Sequence, residues 1–182
     1  MLTVVVPAQK VFDEDTSTFY DIPETTLHLE HSLLAVSKWE SIWQIPFLDN
    51  KKQKTPEQVL SYVQCMCLDE VNPMVIKALT RKNVEQINDY LSNKMTATWI
   101  SESAKNGAKK GSGKVITSEL LYYYMSALQI PFTCETWNLQ RLIMLIEVAS
   151  LEQQPAKKMP KNEIISQRNA LNKARQAKMR HH

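Results

Sequence analysis

TLHLEHSLLAVSKWESIW, residues 26–43, changes its hydrophobic period half-way along. Leu27 and Leu29 alternate with Thr26, His28 and Glu30, the period-two pattern of a strand with one buried side. From Ser32 the period lengthens: Leu33, Leu34, Val36, Trp39, Ile42 and Trp43 share one helical face, with Lys38 and Glu40 beside it. Pro46 stops that helix. The segment therefore predicts a strand that feeds directly into a helix.

Upstream, Leu2, Val4 and Val6 alternate until Pro7, and DEDTSTFYDIPE is polar and turn-rich. Two period-two stretches about such a middle predict an N-terminal β-hairpin with a long loop. Downstream the signals are helical. Thr55-Pro56-Glu57-Gln58 combines an N-cap, a proline at the first helical position and a glutamine placed for a capping box, ahead of Val59, Leu60, Tyr62, Val63 and Met66. Pro73 opens a short helix to Leu79, and Asn83 caps one to about Ser92. Met95–Ile100 favours a strand, paired with Val115–Ile116 across a polar loop. Thr117 or Ser118 caps a helix to about Leu128, and Pro131 breaks it. Thr133 then caps the longest helix, with Trp137, Leu139, Leu142, Ile143, Leu145, Ile146 and Val148 as its core side.

No internal repeat is visible. The fold class read from these signals is mainly α, about six helices, with an N-terminal β-hairpin and a second small β pairing. Residues 1–154 form a globular domain and residues 155–182 a basic C-terminal tail, expected to be flexible or helical only when docked.

Charge supports that division. From Pro155 onward eight Lys and Arg face one acid, Glu163, a balance of +7; the preceding residues hold 14 basic and 18 acidic side chains, or −4. A basic tail on an acidic body suggests an anionic partner or the body of a neighbouring copy. No apolar run reaches the roughly 20 residues of a membrane span. The opening MLTVVVPAQK has neither a basic segment nor a small-residue cleavage site, so a cytoplasmic protein is expected. Cys65, Cys67 and Cys134 are read as buried thiols, since C-x-C without a second Cys/His pair does not make a tetrahedral zinc site.

All three glycines lie in KNGAKKGSGKVI, residues 105–116. A phosphate-binding loop would need G-x-x-x-x-G-K-[ST] between a strand and a helix. With Gly113-Lys114 as the final pair, the first glycine is replaced by Ala108 and the hydroxyl residue by Val115. The stretch is read as a structural turn. Glu30-His31-Ser32 offers an acid, a base and a nucleophile, but adjacent residues point in different directions on a strand or a helix. Capping by Ser32, with His31 or Glu30 bonding nearby, accounts for them better. Trp39, Trp43, Trp99, Trp137 and the run Tyr122-Tyr123-Tyr124 could stack on bases, yet most fall on core faces. Three consecutive tyrosines cannot all be buried on one helix, which places one or two at an interface. No catalytic, metal-binding or cofactor-binding set emerges, and no enzyme is expected.

Five stretches, LEHSLLAVSKWESIWQIPFL (29–48), MTATWI (95–100), ITSELLYYYMSALQIPF (116–132), WNLQRLIMLIEV (137–148) and ISQRNALNKARQAKM (165–179), resemble a family of small proteins from the structural-gene block of long-tailed bacteriophages, associated with tail assembly chaperones. The resemblance implies a non-enzymatic, mostly helical, oligomeric protein of the host cytoplasm. Such a protein would coat the long tape measure protein until tail-tube subunits replace it. It implies partner contacts around Trp39, Trp43, Tyr122 and Tyr124, with the tail, including Lys157, Lys158, Arg168 and Arg175, joining neighbouring copies. The alternatives are a virion component (a head–tail joining or tail protein) using hairpin and tail as docking arms, and a nucleic-acid-binding protein acting through the tail.

Overall fold

The computed structural model describes residues 1–13, 17–49, 53–100, 115–153 and 168–169. The chain divides into two units, Met1–Leu151 and Glu152–His182. The first is mainly α with a small β component, as the periodicities require.

Its strands are β1 (Leu2–Val6), β2 (Gln9–Asp13), β3 (Thr18–Ile22) and β4 (Thr25–Leu29). β1 pairs antiparallel with β4, Leu2 opposite Leu29 and Val6 opposite Thr25. β2 pairs with β3, Gln9 opposite Ile22 and Asp13 opposite Thr18. The two registers continue one another, so the four strands are one ribbon interrupted at Pro7 and Pro23, which have no N–H to give the ladder. The buried parity changes at the break. Val4, Val6, Leu27 and Leu29 are buried on one side of it, and Asp13 and Ile22 on the other. The ribbon thus turns over between its halves, a twist that a two-stranded ribbon tolerates.

The second β pairing is this distal half of the hairpin. Met95–Ile100 and Val115–Ile116 lie in no strand, and the expected turn at residues 101–114 falls outside the described residues. Among the described residues no strand pairs with Met95–Ile100, and propensity without a partner edge does not make a strand.

Six α-helices are present among the described residues: α1 (Leu33–Trp43), α2 (Pro56–Met66), α3 (Pro73–Lys77), α4 (Arg81–Ser92), α5 (Ser118–Ala127) and α6 (Leu139–Glu152). A 3₁₀ turn, Phe132–Thr136, precedes α6. Ser32 caps α1, its hydroxyl accepting from Ala35 N–H at 3.2 Å. The Thr55–Gln58 capping box forms in both directions. α4 starts earlier than expected, because Thr80 is its cap and Asn83 is the third residue that reaches back to it. The Asn83 amide also donates to the Val5 carbonyl at 3.0 Å, tying α4 to β1. α6 starts later than expected. Thr133 sits in the 3₁₀ turn, and Asn138 accepts from Gln140 N–H at 3.0 Å to open the helix.

Trp39, Leu27, Leu29, Leu33, Val36, Met66, Met125, Leu139 and Leu142 centre the core. β4 is held on its far side by α2: Glu30 N–H donates to Met66 O and Leu68 N–H to His28 O, both at 2.9 Å. Ile42, Val59 and Trp137, expected inside, are exposed.

α1 and α5 share a design that the sequence did not announce as a repeat. Each runs from a hydroxyl cap, Ser32 or Thr117, to a left-handed glutamine twelve residues later, Gln44 at φ 55° or Gln129 at φ 57°. Each glutamine is followed by Ile-Pro-Phe. The α5 end is a Schellman turn, with Ile130 N–H on Met125 O (2.8 Å) and Gln129 N–H on Ser126 O (3.2 Å). Four identical residues and an equal cap-to-glutamine spacing are too little to read as a repeat in the sequence.

Candidate partner-binding surface

The four expected body contacts separate into three environments. Trp39 is fully buried, and its indole N–H donates to Gln58 O at 2.8 Å. It is a core residue and not a contact surface, because α2 closes over it. Trp43 is half-buried and donates to Ser61 Oγ at 3.0 Å. With Phe47 and Tyr62 they make one aromatic cluster: Trp39 meets Phe47 edge-on at 5.1 Å, and Phe47 stacks on Tyr62 at 4.0 Å. Lys54 lies over it, its ammonium 4.5 Å from the Phe47 ring centre.

Tyr122 is half-buried; its hydroxyl donates to Glu135 at 2.7 Å and its ring meets Phe132. Burial, reinforced by the Glu135 carboxylate, raises the phenol above its ordinary range. Tyr124 is exposed, with the Tyr123 ring 5.8 Å away. Of the expected tail contacts, Arg168 is helical and exposed. Lys157, Lys158 and Arg175 lie outside the described residues.

More aromatic side chains are exposed than the sequence suggested. Tyr123 is 65% exposed, Phe132 56%, Trp137 43%, Tyr124 40% and Trp99 82%. Trp137 is covered on one side by the Arg141 guanidinium, 5.6 Å from its ring centre. Trp99 and Ile100 border a groove of about 350 Å³ against Ile143, Met144 and Glu147 of α6. The signal for Tyr123 was its place in a run of three. Trp137 carried none, since its spacing fitted a helix that begins two residues later.

The acid–base–nucleophile triplet is dispersed. Glu30 accepts from Tyr90 (2.5 Å) and Asn138 (3.3 Å) and pairs with the Met1 amine (2.5 Å). Burial alone would raise its carboxyl, but these donors hold it below its usual value. His31 bonds through Nδ1 to the Tyr62 hydroxyl at 2.5 Å. Burial takes its imidazole down to about 4 against the opposing pull of Glu30, so it is neutral near pH 7. Ser32 is occupied as a cap. These contacts join β4, α2, α4 and α6, a junction that fixes the fold.

Cys65 and Cys67 are half-buried, and Cys134 is buried; all three are free thiols. Burial, with Asp69 and Cys65 nearby, pushes the Cys67 thiol up to about 11, and its hydrogen bonds to Val63 O. Among the described residues no three His, Cys, Asp or Glu converge as a metal site, and no helix is long and apolar enough to cross a membrane. Comparison of the chain with protein-family models, with curated proteins and with solved structures finds no match.

Proposed function

We propose that the protein is a non-enzymatic morphogenesis factor of a long-tailed bacteriophage. In this reading it is a tail assembly chaperone that holds the tape measure protein soluble in the host cytoplasm. The observation that carries it is the set of aromatic side chains left exposed, Tyr123, Tyr124, Phe132, Trp137 and Trp99. Large apolar side chains left in water mark a protein-binding role more often than a folding need. A long amphipathic helix, whose apolar stripe would otherwise aggregate, is a client such a surface suits. Many weak sites along it would hold it reversibly, ready for displacement.

The virion-component reading gave the hairpin the role of a docking arm. Both halves of the ribbon are instead anchored on helices: Asn83 on Val5, Lys77 on Asp13 at 2.6 Å, and Gln9 on Ala78. That favours the chaperone. Quantitative mass spectrometry of infected-cell lysate and of purified particles tests it. Abundance in lysate with absence from particles is expected. A fixed stoichiometric copy number in particles would move the protein to the virion and end the chaperone reading. Nuclease-sensitive, salt-dependent DNA binding by the tail would favour the nucleic-acid reading.

A further inference from the structure

We draw no further inference here: the strongest candidate, the groove of about 350 Å³ that Trp99 and Ile100 border against Ile143 and Met144 of α6, is an unpartnered apolar surface, and nothing in the structure shows what covers it.

Discussion

The carboxylate of Glu40 receives both the backbone N–H and the hydroxyl of Ser118, at 2.7 and 2.5 Å, across 78 residues of sequence. Its other oxygen takes the Phe47 N–H at 2.7 Å. One buried acid therefore fixes the end of α1, the turn after it and the first turn of α5, where a negative charge also meets the positive end of the helix dipole. Glu40→Ala would strand these donors without a partner and should cost about 3 kcal/mol. Glu40→Gln keeps an acceptor and should cost roughly half as much. Urea unfolding of both variants checks the order, and an alanine cost below about 0.5 kcal/mol would remove the staple role.

Trp39 and Trp43 make a second contrast. Trp39→Ala opens a cavity under α2 and frees Gln58 O, a loss of about 3–5 kcal/mol. Trp43→Ala should lose distinctly less, because part of its ring already meets solvent. Equal losses in denaturant melts would contradict the burial difference between them.

His31 gives the protein an acid limb. Its folded value of about 4 lies below the ordinary 6.5, so between those values the unfolded chain binds a proton that the folded chain refuses. Stability from this group is complete above pH 6.5, falls as pH drops towards 4, and changes no further below it. The window is worth about 3 kcal/mol at most. Glu30, held low by its donors, adds a loss at more acidic pH. Unfolding free energies at pH 7, 6, 5 and 4 should diverge between wild type and His31→Gln. Parallel curves would show that His31 is not the titrating group.

The Lys77–Asp13 pair, with Asp13 nearly buried, anchors the distal half of the ribbon. Lys77→Met should raise amide exchange at Val11 and Tyr20 while Val4 and Leu27 keep their protection. The proximal half has its own core contacts, and the prolines uncouple the two ladders. Exchange that rises evenly along the ribbon would mean that the halves open as one.

Much of this architecture follows from local chemistry. The period change at Ser32, the Thr55–Gln58 box, the Pro56 and Pro73 starts and the Pro131 break act within a few residues, and each forms where the sequence places it. Local rules misplace what depends on distant partners. Among the described residues Met95–Ile100 joins no strand and Ile42, despite its spacing, is exposed, while Trp137 precedes a helix that Asn138 starts.

The same division runs through the candidate surface. Sequence spacing makes Trp39 and Tyr124 equivalent positions on equivalent helices, each twelve residues from cap to left-handed glutamine. Whether such a position becomes core or contact depends on a second helix lying over it, and that requires chain closure across many residues, which no local pattern encodes. α2 lies over Trp39 and buries it. Among the described residues no helix lies over Tyr124, which is exposed.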